Sequence, residues 1–142
     1  MSTFFKATDK DLDEVLEFGK KFWRDSRHLD IPKIDEDKAF KSLDLFCQKG
    51  VILCAKEEEK IIGFLGLIKH HYWWSNEIVF NVHWLYVLPE HRNFKVVKTF
   101  IDMVKQIAKD EPIYFSVTSE REYDDLFTKF GFKEVGKNWR FN

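Results

Sequence analysis

The chain has 142 residues, of which 44% are hydrophobic and 17% aromatic, enough for one domain with a single core. Its formal net charge of -1 argues against bulk attraction to nucleic acid or to an anionic membrane. No apolar run approaches the roughly 20 residues of a membrane-spanning helix, and the N-terminus lacks a signal-peptide pattern, so a cytoplasmic protein is expected. Cys47 and Cys54 lie among apolar neighbours, which favours reduced thiols over a disulfide framework.

The first half of the chain predicts a strand, two helices and a meander of strands. Residues 3–7 form a short apolar strand, and apolar residues then recur at helical spacing over 9–25 and again up to Gly50. Between the two helices, residues 26–34 have no period and contain a proline, so a loop is expected. Three strands separated by tight polar turns follow, at 51–57, 61–74 and 78–88.

The second half alternates between helix and strand. An apolar stripe predicts a helix over 94–109, and Pro112 leads a strand over 113–118. A further helix is expected over 120–130, ended by Gly131, and the chain closes as a hairpin pair of strands. We find no internal repeat, low-complexity segment or linker.

The strand, helix and strand at 78–88, 94–109 and 113–118 mark the expected ligand site. A short crossover of this kind is right-handed and makes its two strands neighbours or near neighbours. Loops beyond the carboxyl ends of such strands often bind ligands, because the helix N-terminus offers free amides and a positive dipole end. The turn at 89–98 is therefore the predicted anion site, although it contains no glycine.

Two local motifs carry a family resemblance. The stretch "LYVLPEHR" (85–92) ends a strand in a proline and an arginine, and "LFTKFGFKEVG" (126–136) follows later in the chain. In this spacing, and with the element order β-α-α-β-β-β-α-β-α-β-β, the sequence resembles the GCN5-related N-acetyltransferase superfamily. The resemblance implies one α/β (α+β) domain over 1–142, with a central mixed, mostly antiparallel sheet flanked by helices on both faces.

The resemblance also implies how acetyl-CoA is held. In that family the fourth strand splays from the fifth, and the pantetheine arm lies in the V between them, paired with backbone groups. The matching strand end here is Leu85, Tyr86 and Val87. The pyrophosphate is expected on the turn that follows, whose candidate residues are Arg92, Asn93, Phe94, Lys95, Val96, Val97 and Lys98.

That turn departs from the family's Arg/Gln-x-x-Gly-x-Gly/Ala pattern, because Lys95 and Val97 occupy the two small positions. Backbone amides remain in any sequence, whereas a β-branched Val97 reduces the clearance for a phosphate. Positive charge on Arg92, Lys95 and Lys98 could hold the phosphate at longer range. Alternatively, this is an ordinary turn that no longer binds a ligand. The sequence leaves both interpretations open.

Candidate catalytic groups are few. Strand 78–88 carries no acid, and His83 has the right intrinsic pKa for a general base, although a lone histidine in an apolar strand is often a core residue. The family's tyrosine, whose hydroxyl protonates the leaving thiolate, is replaced by Phe127. Tyr123, one helical turn earlier, is the candidate acid, against the alternative of a packed core ring.

Two further positions lack the family's residues. Glu120 stands where many members have an asparagine that contacts the cofactor, and Phe115 stands where one branch has a catalytic glutamate. In a catalytically silent domain, Phe115 or Phe127 could fill the V. Residues 26–34 correspond to the loop that shapes the family's acceptor site, where His28, Asp30 and Lys33 are either substrate contacts or solvated residues.

The stretch "HHYWW" (70–74) raises a metal site and an aromatic surface as alternatives. His70 and His71 are adjacent on a predicted strand and point to opposite faces, so no metal site is expected. Tyr72, Trp73 and Trp74 end a hairpin arm, which makes them a candidate contact for a protein partner or a wall of the acceptor pocket. Packing against the first helix pair is the equal alternative.

The leading hypothesis is an N-acetyltransferase, a monomer or homodimer, in which an amine on a small molecule or protein attacks acetyl-CoA directly. Positioning alone can supply much of the rate of such a transfer, so a missing acid does not exclude catalysis. The rival hypothesis is a catalytically silent domain of the same fold, used as a binding or structural component that acts through a protein partner, for example in a virus or mobile element. An open V beside Leu85–Val87 would favour the enzyme.

Overall fold

The computed structural model describes residues 2–25, 32–116, 124–136 and 141. Within these ranges, strands and helices follow one another in the order β1, α1, α2, β2, β3, β4, α3, β5, α4. Their bounds are β1 (Thr3–Lys6), α1 (Leu12–Asp25), α2 (Glu36–Lys49), β2 (Gly50–Glu57), β3 (Lys60–His70), β4 (Val79–Val87), α3 (Phe94–Ala108), β5 (Ile113–Phe115) and α4 (Asp124–Lys129).

The strands form one sheet in the order β1-β2-β3-β4-β5. The pairs from β1 to β4 are antiparallel, whereas β5 runs parallel to β4 after the α3 crossover. The sheet is therefore mixed and mostly antiparallel, with helices on both faces, which confirms the predicted fold class.

Capping side chains fix where the helices begin. Asp11 accepts a hydrogen bond from the Thr8 N–H (2.8 Å) and so caps the turn that leads into α1. Asp35 caps α2 by accepting from the Lys38 N–H at 3.1 Å. Each helix then presents one apolar face to the sheet.

Two hydrophobic cores lie on opposite faces of the sheet. The core on the α3 side includes the fully buried Phe100 and Val104, packed on Leu65. The core on the α1–α2 side includes Val15 and Phe64. β4 contributes to both cores, because alternate side chains of a strand point to opposite faces. β4 therefore presents side chains to both faces of the sheet.

Several predicted bounds were wrong. The third strand ends at His70 rather than at 74, because the chain turns there, with the Ser75 N–H donating to the Tyr72 carbonyl. The closing hairpin is not formed over 132–136, since the Phe132 N–H bonds back to Phe127 and Gly131 (φ 86°) ends α4. Residues 117–123 and 137–140, which carry other parts of these predictions, lie outside the described ranges.

Both thiols are free, with Cys54 fully buried and Cys47 partly exposed. Burial raises the pKa of the Cys54 thiol to about 12, so it stays protonated at neutral pH. Among the helices described, none has the length and apolar character needed to cross a membrane.

Candidate active site

β4 extends well beyond its pairing with β5. The parallel ladder joins Phe80 to Ile113 and ends where Val82 pairs with Phe115, while β4 continues to Val87. In the part of the chain that the structure describes, residues 83–87 therefore have no β5 partner. A strand end with a neighbour on one side is what the predicted V requires, and the V itself stays a prediction.

Hydrogen bonds show which way the peptide groups of this strand end point. The Leu88 N–H donates to the Ile62 carbonyl of β3 at 2.8 Å. Since strand peptides alternate, those of Leu85 and Val87 face the open side, away from β3. The sequence prediction that these two residues offer backbone groups to a ligand is consistent with this direction.

A β-bulge interrupts β4 just before the open segment. Gly66 pairs with Trp84 and Leu67 with Val82, so His83 is the extra residue. The bulge places both His83 and Trp84 on the α1–α2 side, where each contacts the Phe46 ring, with centroids 5.3 Å and 4.8 Å away. The bulge thus aims the candidate base towards the helices.

A cavity of about 420 Å³ lies between α1, α2 and β4. Its volume falls within the usual range of small-molecule sites. His83 lines it, and partial burial, followed by the nearby His70, lowers the pKa of the imidazole below its ordinary value. The lining residues are Phe22, Trp23, Pro32, Lys33, Ile34, Asp35, Lys38, Ala39, Ser42, Leu43, Phe46, Phe64, His83 and Trp84.

Trp84 forms part of the cavity wall and depends on a glycine behind it. A Cβ on Gly66 would lie 2.3–2.4 Å from carbons of the Trp84 ring, so only glycine lets the indole lie flat against β3. The indole Nε1 is buried and has no hydrogen-bond partner among the described residues. Sequence reasoning missed Trp84, although a glycine inside an apolar strand is a recognised signal of such close approach.

Tyr86, predicted to contact the cofactor, has its side chain on the α1–α2 side. Its ring stacks on Phe22 with centroids 5.3 Å apart, and its hydroxyl donates to the Asp25 carboxylate at the end of α1. Burial and then that carboxylate raise the pKa of the phenol well above its usual value. Tyr86 therefore holds α1 against β4, and only its backbone remains near the V.

The predicted phosphate turn satisfies several of its own groups. Arg92 donates from Nε to the Val87 carbonyl at 2.7 Å, and its guanidinium lies 5.4 Å above the Tyr86 ring. Asn93 caps α3, accepting from the Val96 N–H at 3.0 Å. The structure therefore places an arginine side chain on one of the backbone acceptors expected to face pantetheine.

The remaining predicted residues of the turn differ in their surroundings. Lys98 forms an ion pair with Asp102 at 2.6 Å, whereas no described residue forms an ion pair with the exposed Lys95. Val96 is buried in the α3-side core, so its side chain cannot contact a ligand. Val97 is partly buried. Phe94 is half exposed and stacks on Phe130, with centroids 5.4 Å apart.

The late motif forms an aromatic cluster. Phe115 lies 5.1 Å from Phe127 and 5.3 Å from Phe132, between ring centroids. Phe115 also packs on the α3-side core, so its ring is directed to that face of the sheet. Tyr123, the candidate acid, and Glu120 lie outside the described residues, as do His28 and Asp30 of the loop at 26–34. Lys33 is described and lines the cavity.

The aromatic arm stands away from the cavity. Trp73 and Trp74 are 92% and 63% exposed, which excludes burial against the first helix pair. Tyr72 stacks on Trp74 with centroids 4.5 Å apart. None of the three lines the cavity, and a protein contact at this arm stays a prediction. In the described ranges, no group of three or more His, Cys, Asp or Glu side chains is placed to hold a metal ion.

The sequence matches a known protein family over more than half of its length. The model of the family described as "Acetyltransferase (GNAT) domain" matches residues 48–134. This match spans β2 to the end of α4, and so includes the strand end, the bulge and the turn. No curated protein sequence matches the chain.

Solved acetyltransferase structures share the fold at low sequence identity. AAC(6')-Iy, in complex with the bisubstrate analogue CoA-S-monomethyl-acetylneamine, has a TM-score of 0.80 at 16% identity, covering 100% of this chain and 97% of that one. A predicted acetyltransferase with acetyl-CoA from Clostridium acetobutylicum gives 0.76 at 19% identity, with coverages of 100% and 96%. A possible acetyltransferase from Clostridium difficile 630 gives 0.75 at 17%, with coverages of 100% and 97%. The family match covers more than half of the chain and shows that this chain belongs to the GNAT acetyltransferase family.

Proposed function

We propose that this protein transfers an acetyl group from acetyl-CoA to a primary amine bound in the cavity between α1, α2 and β4. The observation that carries the proposal is the meeting of two features on one strand. Among the described residues, β4 has no β5 neighbour beyond Val82, and the bulge turns His83 and Trp84 towards the cavity. A thioester held along the open edge and an amine held in the cavity would therefore be adjacent.

The residues on the open edge fit acetyl-CoA. The peptide groups of Leu85 and Val87 face away from β3, where an extended pantetheine chain can hydrogen-bond as a strand would, once Arg92 has left the Val87 carbonyl. At the start of α3, the Asn93 side chain occupies the Val96 N–H, and no described residue accepts a hydrogen bond from the Phe94 or Lys95 amide, so both are available to an anion. Arg92, Lys95 and Lys98 supply positive charge around them.

His83 is suited to take the proton that an amine loses on attack. Its lowered pKa keeps the imidazole neutral at pH 7, the form that accepts a proton. Its solvent-accessible ring lines the cavity and is supported by the edge of Phe46. Acetyl-CoA supplies an activated acyl carbon, so the protein's task reduces to positioning and proton removal.

No acid for the leaving thiolate is assigned among the described residues. Phe127 has no proton to give, and the Tyr86 hydroxyl is committed to Asp25. Tyr123 stays the candidate from the sequence. A thiolate can leave without an acid more readily than an alkoxide, because thiols are far stronger acids than alcohols.

The test is an acetyl-transfer assay with a matched pair of variants. Purified protein is mixed with acetyl-CoA and a panel of primary amines, and release of free thiol is followed alongside mass spectrometry of the amine. Leu85→Pro removes the N–H that faces the open edge, while Leu85→Val keeps it. We expect transfer by the wild type and by Leu85→Val, and loss of transfer in a folded Leu85→Pro. Equal transfer by the two variants would contradict the proposed use of this edge.

A further inference from the structure

We infer that the amine acceptor is an apolar, ring-bearing molecule that also carries an anionic group, such as an aromatic amino acid. This inference rests on the proposed function, because it names the substrate class of the same cavity. It follows from two properties of the cavity wall, its aromatic lining and its charge.

Most of the wall is aromatic. Phe22, Trp23 and Phe64 come from α1 and β3, while Phe46 and Trp84 face each other from α2 and β4. Rings in such a cluster contribute large apolar area and prefer stacked or edge-to-face partners. A linear polyamine needs carboxylates spaced along its length, and Asp35 is the one acidic residue among the described residues that line the cavity.

The charged groups of the wall favour an anion. Lys33 and Lys38 line the cavity, and no carboxylate in the described ranges forms an ion pair with either. Asp35, which lies between them in sequence, already accepts the Lys38 N–H as the cap of α2, and Glu36 is paired with Lys20. With His83 neutral, the described side chains that line the cavity carry two positive charges and one negative charge. A substrate carboxylate would be stabilised by both lysines and by the N-terminal end of α2.

The probes are L-tryptophan, its neutral amide L-tryptophanamide, and tryptamine, which lacks the carboxylate. All three have the same ring and a primary amine, so they separate the effect of the negative charge from the effect of size. Rates of acetyl transfer are expressed per unprotonated amine, because the three amines differ in pKa. We expect kcat/KM for L-tryptophan to exceed that for the other two by about tenfold, the size of a charge-assisted contact.

Variants test whether the lysines cause that preference. Lys38→Glu should reverse the order, so that tryptamine becomes the better acceptor, and Lys38→Ala should remove the preference. Lys41, one turn further along α2, is exposed and does not line the cavity, so Lys41→Glu is the control that should keep the wild-type order. A folded Lys38→Glu that still prefers L-tryptophan would overturn the inference.

The outcomes also separate this inference from the proposed function. Suppose that acetyl-CoA binds by calorimetry but the acetyl group goes to tryptamine or spermidine in preference to L-tryptophan. That result overturns the inference about the acceptor and leaves the proposed function standing. Binding of acetyl-CoA with no transfer to L-tryptophan also overturns it. If acetyl-CoA does not bind, both fail.

Discussion

The two sides of β4 are organised in opposite ways. On the side of the 92–98 turn, the protein's own groups occupy the positions a ligand would use, since Arg92 bonds to the Val87 carbonyl and Asn93 caps α3. On the cavity side, Lys33, Lys38 and the Trp84 indole have no hydrogen-bond or ion-pair partners among the described side chains. Cofactor binding at the turn thus requires rearrangement of the Arg92 side chain, whereas the described lysines of the cavity need break no ion pair to meet a ligand.

This difference bears on the missing glycines. A glycine turn binds phosphate through bare amides, whereas here a ligand must displace Arg92 from the Val87 carbonyl before pantetheine can pair there. We expect the cofactor side to depend on charge and rearrangement, and the cavity side on a preformed shape. The following predictions test that contrast, beginning with the largest effect.

Replacing the candidate base should have the greatest effect. His83→Ala is expected to lower kcat by about 100-fold, within the usual contribution of general-base catalysis, with little change in acetyl-CoA affinity. In the wild type, kcat/KM should fall as pH drops through a pKa below 6.5, because burial lowers the pKa of His83 and protonation removes the base. The measurement is the pH profile of kcat/KM.

His71→Ala is the control, since His71 is exposed on the arm outside the cavity. It should keep both the rate and the acidic limb of the profile. If the His83→Ala enzyme kept the wild-type rate, His83 would not be the general base and its role would be packing alone.

Adding one methyl group on either side of the sheet should affect the two surfaces separately. Gly66→Ala forces the Trp84 ring to move, so we expect a loss of about 1–3 kcal/mol in the free energy of unfolding and a higher KM for the amine. Gly63→Ala adds its Cβ 3.2 Å from Phe100 and Val87 on the α3 side, where the contacts are looser. Denaturant unfolding and KM values for both substrates give the comparison.

If the cavity and the cofactor edge are independent, Gly66→Ala should change KM for the amine and Gly63→Ala should change KM for acetyl-CoA. If both variants raised the same KM, the two surfaces would not be independent.

Arg92 should have opposite effects on two forms of the acyl donor. Arg92→Ala removes positive charge near the turn but also releases the Val87 carbonyl. We expect about tenfold weaker binding of acetyl-CoA and unchanged or tighter binding of acetylpantetheine, which lacks the phosphates. Calorimetry with both ligands makes the test, and Lys41→Ala is a charge control away from the site. Equal weakening of both ligands would show that Arg92 does not compete for the strand edge.

The turn between β2 and β3 should affect stability alone. Glu58 and Glu59 have φ angles of 51° and 66°, a left-handed conformation that strains side-chain-bearing residues. Glu58→Asn with Glu59→Gly matches the sequence that such two-residue turns prefer, and should raise the free energy of unfolding by about 1 kcal/mol. Thermal unfolding measures this, and kcat should not change. A lower free energy of unfolding in this variant would contradict the claim that Glu58 and Glu59 are strained.

Much of the fold could be predicted from the sequence, because periodicity reports burial directly. The stripe that includes Phe100 and Val104 marks α3, and both side chains are fully buried. The predicted strand bounds are wrong where apolar residues lie exposed in a turn rather than buried in a strand. Trp73 and Trp74 look like a strand but lie exposed in a turn, since aromatic composition does not distinguish a buried ring from a presented one.

The site was only partly predictable. The open strand end follows from the motif around Val87, whereas the cavity depends on Lys38, Phe46 and Trp84, which are brought together from two elements far apart in sequence. The bulge that turns His83 towards it is a register shift between strands, and no local pattern marks such a shift. The Asn93 cap, by contrast, could have been found, because an asparagine before an apolar helix start is a known signal.

Calorimetric titration of the purified protein with acetyl-CoA tests the central claim most directly. If the open edge of β4 and the charged turn act together, binding should be micromolar or tighter, about -8 kcal/mol, lost in Leu85→Pro and retained in Leu85→Val. Absence of binding up to millimolar acetyl-CoA, with the protein folded, would contradict the account and favour a silent domain that acts through a partner.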